Sequence, residues 1–463
     1  MEQNFTENIT KEKLHTLYAE GQLSQLLHFL EELPVVDALD FLEELTTDEI
    51  IQILKQITPE TAGEIFSEFS LEGQLDFFSQ IDRRSFAKIF KYMYSDVRAD
   101  LYQELDKIQQ IELLPYLDKQ VRENVIILSA YPPETAGGIM NTDFATIFAD
   151  MTALEALEKI RSDAPSKEMV YYIYVVDSSM VLKGLVTLKD LVLAPKNNPI
   201  EEVTQDFIVY AEVNEDRESV ARKIEKYDLV AIPIVNSLHQ LVGIVGHEDA
   251  LDVIVAEQTE DMEKLMGIMS STEDSSPYLS VSSMTHFRKR VFWPLIFAGV
   301  GIFSGMIINN YQHVLEQFII LALYMPMMAA TGGNIGSQTA AVVIRSLSLG
   351  EIDPGKWAGV VFKEVKISLL LAMAVALLTY IKIVFFSFKA SAPEGSTLSR
   401  VGIAISLAIT IQVVASAVIG AALPLLVRKL NGDPAVVASP AISTIMDITG
   451  LLIYFNTTML FLY

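Results

Sequence analysis

The chain has no cysteine in 463 residues, which excludes disulfides and thiolate metal sites and is compatible with a cytosolic soluble part. Histidine is scarce, at six, and none falls inside an apolar span, so a membrane site for copper or zinc is not expected. Basic charge is short as well: 34 Lys and Arg stand against 59 Asp and Glu, a net of −25. That balance argues against nucleic acid as a partner and favours multivalent cations or self-repulsion as the controlling electrostatics. The first residues, MEQNFTENITKEKL, lack the apolar core of a signal peptide, and none is expected.

Charge of either sign then runs out along the chain. From Val291 onward there are 9 Lys and Arg and 7 Asp and Glu, which leaves 25 against 52 for residues 1–290, a net of −27. The expectation is an acidic soluble half, long enough for two domains, followed by a membrane domain. Five spans are read, at about 291–311, 318–344, 360–385, 401–427 and 436–463. Arg288, Lys289, Arg290, Arg345, Lys356, Lys363, Lys366, Arg428 and Lys429 flank one side, and only Lys382, Lys389 and Arg400 the other. The positive-inside rule places the acidic half in the cytoplasm and, with five spans, the C-terminus outside.

The most informative residue is Asp447, alone in the apolar run VVASPAISTIMDITGLLIYFNTTMLFLY. At about 1.5 Å per residue it lies about 16 Å in, near the midplane of a bilayer. A carboxylate there costs about 3 kcal/mol or more, so it should face a watery path or a partner rather than lipid. Ser439, Ser443, Asp447 and Gly450 recur at helical spacing and form one small, polar stripe. No basic residue lies centrally in another span, so a cation from outside the chain is the favoured partner over a structural ion pair. The second span carries PMMAATGGNIGSQ (326–338), whose proline, glycines and amides are expected to break the helix and free carbonyls around a cavity. Asn334 and Gln338 favour a pore lining there over pure packing, which needs no amides.

The soluble half opens with a repeat. FLEEL (29–33), FLEEL (41–45), ILKQI (53–57), IFSEF (65–69), FFSQI (77–81), IFKYM (89–93), LYQEL (101–105) and LLPYL (113–117) begin every 12 residues, with apolar positions 1, 2 and 5. Such a pattern gives short helices that are stable only when stacked, here an all-α helical-repeat N-domain over residues 1–130, packed as a superhelix. Pro59-Glu60, Glu72-Gly73 and Ser95-Asp96 read as turns between them, and the array reads as a binding or spacer surface without chemistry of its own.

A second repeat follows. GLVTLKD (184–190) and GIVGHED (243–249) each read as a strand running into a helix, behind the β-rich runs YYIYVVD (171–177) and VAIPIVN (230–236). Over residues 131–256, most clearly from 137, this resembles a tandem of cystathionine-β-synthase-type (CBS) modules, an α+β pair known for adenosine-nucleotide sensing. The resemblance places Thr187 and Asp190 where ribose and phosphates are commonly contacted, and so implies ATP as a ligand. Gly246 replaces that threonine in the second copy, and a purely structural pair is the alternative.

From Glu248 the acidic stretch EDALDVIVAEQTEDMEKL (248–265) reads as one helix with Lys264 as its only base, joined through a Ser-rich segment (270–283) to HFRKR before the first span. Its alternative is an ordinary solvated helix. With PMMAATGGNIGSQ and DPAVVASPAISTIMDITGLLIY (433–454), the whole chain resembles the MgtE family of magnesium channels and transporters. The implied multidomain architecture is the N-domain, the CBS pair, an acidic connecting (plug) helix and linker at 248–285, and a transmembrane pore domain at 286–463. Ser337 and the pair Ala438-Ser439 depart from common family residues.

The resemblance implies that Asp447 is the pore's ion-binding carboxylate, and that a homodimer in the cell membrane holds the pore between its subunits' spans. It implies sensing carboxylates at Asp216, Glu218, Asp228, Asp249, Asp252, Glu257, Glu260 and Asp261, plus an N-domain acid at Asp96 or Asp100. The chemistry agrees independently, since Mg2+ prefers octahedral oxygen, keeps much of its water and is held by one or two carboxylates. The expected function is Mg2+ uptake closed by cytosolic Mg2+, with no enzymatic activity. The alternatives are a coupled exchanger relaying ions through Asp447, and a membrane-tethered nucleotide sensor.

Overall fold

The computed structural model describes residues 13–163, 169–206, 209–269, 278–279, 281–386, 397–436 and 439–462. Most of the Ser-rich stretch 270–283, and Ala438, lie outside the described residues. The chain forms two compact units, one ending at Glu257 and the other beginning at Gln258.

The first unit opens with the expected helical array. Helices begin at Leu23, Val35, Thr47, Pro59, Leu71, Arg83, Ser95, Lys107 and Lys119, every 12 residues, and from Val35 to Ser95 each packs against the next but one. Positions 1 and 2 of the repeat fill one core: Phe41, Leu42, Ile53, Leu54, Ile65, Phe66, Phe77, Phe78, Ile89, Phe90 and Leu101 are all buried. Position 5 closes it with Ile57, Ile81, Met93, Leu105 and Leu117. The stretches read as turns are instead first turns of helices: Pro59 is the first helical residue of Pro59–Ser67, and Ser95 begins Ser95–Glu104. Proline suits that position because its missing N–H is unpaired there anyway.

Two three-stranded α+β modules follow. β1 (Phe144–Phe148) pairs parallel with β2 (Met169–Val176), which pairs antiparallel with β3 (Leu182–Thr187). The second copy repeats this with β4 (Ala211–Glu212), β5 (Ala231–Val235) and β6 (Leu241–Gly246). In each copy the last strand runs straight into a helix, Leu188–Leu193 or the long connecting helix His247–Leu265. The inner faces of both sheets share a core in which Tyr174, Val176, Ala231, Val235 and Ile244 meet.

The second unit is helical, and among the described residues four of its helices are long and apolar enough to cross a membrane: Ser283–Asn310, Trp357–Phe386, Leu398–Lys429 and Ser439–Leu462. The stretch read as a second span is also one helix, Ile320–Ser348, of 29 residues. It falls short of the same apolar measure because Thr331, the glycines, Asn334 and Gln338 dilute its centre. It is also unbroken, which corrects the expectation of a helix interrupted at 326–338. The glycines serve close packing instead: a Cβ on Gly336 would lie 2.9 Å from Ile442, and one on Gly420 would strike the Gly336 carbonyl. The core of this unit gathers helices 320–348, 398–429 and 439–462 around Met328, Ala408, Ile409, Val413, Tyr454 and Phe455.

Candidate functional site

The helix Ile320–Ser348, here the glycine helix, lies against Ser439–Leu462, the aspartate helix. Ser439, Ser443 and Asp447 are half-buried along one stripe of the latter, and Gly450 below them is buried. The Ser337 hydroxyl lies 3.3 Å from the Ser439 carbonyl oxygen, to which it donates, and 3.4 Å from Ser443 Oγ. Ser337, noted as a departure from common family residues, therefore joins the polar stripe rather than interrupting it. Asp447 makes no hydrogen bond or ion pair among the described residues, so both carboxylate oxygens are open to an external ligand. Asn334 and Gln338 are exposed, on the face of the glycine helix that also carries Ala330 and Arg345. Because the helix is unbroken across 331–338, the backbone carbonyls there are engaged within it, and the oxygens offered here come from side chains.

The last two turns of the connecting helix belong to the same unit. Lys264 Nζ sits 2.8 Å from Glu260 and 3.0 Å from Asp433, the residue that opens the turn before the aspartate helix. Burial alone would lower the Lys264 pKa, but the two carboxylates outweigh it and hold the ammonium above its ordinary value. Ser348 Oγ lies 3.4 Å from Asp261 Oδ2, and Leu265 packs with Ala340, Ile344, Ile442 and Met446. The end of the connecting helix is thus fixed to the bases of the glycine and aspartate helices. Lys264 is no lone base among acids but a cross-link.

Within the first unit, a cavity of about 360 Å³ is lined by Ser67, Glu68, Tyr94, Asp96, Asn141, Asp143, Glu248, Asp249 and Asp252, among others. Six carboxyls face one space, enough for a cation with its shell at about 30 Å³ per water. Burial, and then the neighbouring Asp96 carboxylate, push Asp249 up to about 7. Partial burial and the facing Asp252 push Glu68 up too. The wall is held by a polar knot: Ser95 Oγ donates to Asn141 Oδ1 at 3.0 Å and accepts from the Thr142 N–H at 2.9 Å. Of the two N-domain acids, Asp96 lines this cavity, whereas Asp100, one turn along the same helix, does not; burial and then the Glu104 carboxylate push Asp100 up to about 6, with Arg217 opposing them. The helical array therefore contributes Glu68 and Asp96 to an acidic site and is more than a spacer.

The remaining acids are dispersed. Glu257 pairs with Arg217 at 2.9 Å, and Arg217 also reaches Glu134 at 3.2 Å. Glu218 pairs with Arg222. Asp216 caps the helix Arg217–Tyr227 by accepting from the Ser219 N–H, and Asp228 ends it in a left-handed conformation with φ 49°. The eleven residues of that helix lie between those two, a rise of about 18 Å, so one protomer cannot use both in one site. Among the described residues, no three His, Asp or Glu side chains converge closely enough to hold a metal ion directly.

Thr187 caps the helix Leu188–Leu193, its hydroxyl accepting from the Asp190 N–H at 3.1 Å and donating to the Asp190 carboxylate at 2.7 Å. Gln205 Nε2 lies 3.4 Å from the same carboxylate. The pair is a preformed threonine–carboxylate edge, suited to hydroxyls such as those of a ribose.

Two cavity acids, Glu68 and Asp143, were not singled out in the sequence, and neither was Asp433; Glu248 stands out there only as the start of the acidic helix. None carries a local signal, because each meets its partners only through tertiary folding.

Comparison with known families agrees with this layout. The family model for the MgtE divalent cation transporter matches residues 325–457, that for the MgtE intracellular N domain matches 6–134, and that for the CBS domain matches 136–197 and 200–256. The chain is 32% identical over 446 residues to the magnesium transporter MgtE of Thermus thermophilus, covering 96% of each. It is 29% identical over 402 residues to that of Bacillus subtilis, covering 86% of each. Among solved structures, the soluble part of a magnesium transporter matches with a TM-score of 0.52 at 27% identity, over 54% of this chain and 99% of that one. The cytosolic domain of the Mg2+ channel MgtE in complex with ATP matches with a TM-score of 0.50 at 32% identity, over 52% of this chain and 99% of that one.

Proposed function

The chain belongs to the MgtE family of divalent cation transporters, and from that premise we propose that it is a homodimeric, Mg2+-selective channel of the cell membrane, gated by cytosolic Mg2+. It is a transport protein and not an enzyme. The observation that carries the proposal is the Asp447 carboxylate, free of partners among the described residues on a stripe with Ser439, Ser443 and Ser337. Hydrated Mg2+ needs oxygen ligands at a distance set by its water shell, and one carboxylate per chain supplies two when two chains meet on a twofold axis. The exposed amides of Asn334 and Gln338 support that arrangement, because polar groups turned from the protomer's own core need water or a second copy.

We read all five long helices as spans, within a pore domain at 286–463 that follows the N-domain, the CBS pair and the connecting helix. The glycine helix crosses despite its polar centre, because the open face of that centre lines the ion path. Residues 1–257 are the cytosolic regulatory half. Their uncompensated carboxylates repel one another when bare. Mg2+ entering the cavity of Asp96, Asp249 and Asp252, or bridging Asp216, Glu218, Asp228, Glu257, Glu260 and Asp261, draws the soluble half into the closed arrangement. Asp100 stands outside that cavity and is assigned no ion. Thr187 and Asp190 take the ribose of ATP at the CBS pair, in line with the ATP-bound relative.

A proton- or Na+-coupled exchanger using Asp447 as relay is the competing reading. Purified protein in liposomes separates the two. A channel takes up Mg2+ under an imposed voltage with no counter-ion gradient, and uptake that needs such a gradient refutes the channel.

A further inference from the structure

Gln412 is the most deeply buried amide of the second unit, at 0% exposure within the helix Leu398–Lys429. Its side chain enters a cleft walled by two glycines on different helices. A Cβ on Gly450 of the aspartate helix would lie 2.7 Å from Gln412 Nε2, and one on Gly332 of the glycine helix would strike the same nitrogen. Nε2 donates to the Met446 carbonyl oxygen at 3.2 Å, one residue before Asp447. Among the described residues Oε1 is buried with no partner, as is Ser416 Oγ one turn further along. An unpaired buried acceptor is destabilising, and apolar side chains of similar shape, such as methionine, would fill the space without that cost. A residue retained for packing alone would not be an amide, nor would it need a bare glycine on each side.

We propose that Gln412 is a positioning residue for ion permeation: its amide anchors the aspartate helix at Met446 and so fixes the height and rotation of the Asp447 carboxylate. The inference rests on the reading of Asp447 as the ion-binding group. A second tie holds the same helix two turns on, where Tyr454 donates to the Leu321 carbonyl oxygen at 2.8 Å. The first tie joins the aspartate helix to the helix Leu398–Lys429 and the second to the glycine helix; together they resist its sliding and turning, and Asp447 lies between them. One residue of helix is about 100° of rotation and 1.5 Å of rise, so a small slip carries the carboxylate off the stripe of Ser439 and Ser443.

The test uses full-length protein in liposomes at low internal Mg2+, with flux measured against external Mg2+ concentration and against Ca2+. Gln412→Met removes the donor at nearly constant volume, and Gly450→Ala displaces the same amide from the opposite helix. Both should raise the half-saturating Mg2+ concentration about fivefold and weaken the preference over Ca2+, and Gln412→Met should change maximal flux less than about twofold. Because the chain has no cysteine, single thiols report rotation directly. The ratio of labelling rates at Ser443→Cys and Ile445→Cys by a water-soluble thiol reagent should fall in the Gln412→Met background.

Unchanged half-saturation and an unchanged labelling ratio, with Asp447→Ala still inactive, overturn the role of Gln412 and leave Asp447 standing. Normal flux through Asp447→Ala overturns the reading beneath it. A Gln412→Met protein that fails to fold, beside a Gly450→Ala protein that behaves as wild type, also overturns it, since the amide would then serve packing alone.

Discussion

Binding of Mg2+ in the acidic cavity should be strongly pH-dependent, because Asp249 must lose a proton to bind it. An exposed aspartate titrates near 4, whereas burial and the adjacent Asp96 push Asp249 up to about 7. In the divalent-free protein the folded state therefore holds an extra proton across the window from about 4 to about 7. Its stability falls as pH rises through that window, since ionising the buried carboxyl opposes folding. A divalent ion reverses the preference and expels the proton. For one obligatory deprotonation at about 7, the apparent Mg2+ affinity of the cavity should rise about 25-fold between about pH 5.5 and about pH 7.5, then level off. Calorimetric titration of the full-length protein in detergent measures this, beside Asp249→Asn, which has no proton to release. The variant should bind more weakly at neutral pH and lose most of the slope. An equal slope in both proteins refutes the reasoning, because the titrating group would then lie elsewhere.

Neutralising Asp249, Asp252 and Glu257 together, or deleting residues 1–130, should leave flux active at millimolar internal Mg2+ where the intact protein is shut, as read by uptake into liposomes preloaded with Mg2+. Lys264→Met removes the ammonium that joins Glu260 to Asp433 and should raise the internal Mg2+ needed for closure, while Lys264→Arg restores it. Phe66→Ala empties the centre of the helical array, where Phe66 is fully buried against Phe77 and Phe86, and should cost about 3–5 kcal/mol in thermal or denaturant unfolding.

Local periodicity made most of the fold legible. The 12-residue repeat announces itself because most helices of the array bury the same two positions, so the pentads from 29–33 to 113–117 could be read, while the first turns at Pro59, Leu71 and Ser95 read as turns between helices. The CBS pair was visible for a similar reason, two copies of strand-into-helix ending in Asp190 and Asp249. Asp447 stood out because a lone carboxylate in an apolar run has no cheap explanation. Contacts between segments distant in sequence were hidden. Glu68 and Asp252 face one cavity across more than 180 residues, and Lys264 meets Asp433 across 169. Nothing local marks Arg217 as the partner of Glu257. The glycine helix misled for a different reason: its glycines look like breakers, yet with Gln412 and Ile442 against them they are the places where neighbouring helices come closest. Gln412 itself did leave a trace, as the one amide in the middle of the span 401–427.

Mg2+ flux through Asp447 variants tests the central claim most directly. Asp447→Ala and Asp447→Asn, reconstituted in liposomes with the bilayer voltage set and internal Mg2+ kept low, should conduct little or no Mg2+ while remaining folded and assembled as the wild type is. Undiminished Mg2+ uptake by folded Asp447→Ala would contradict the account.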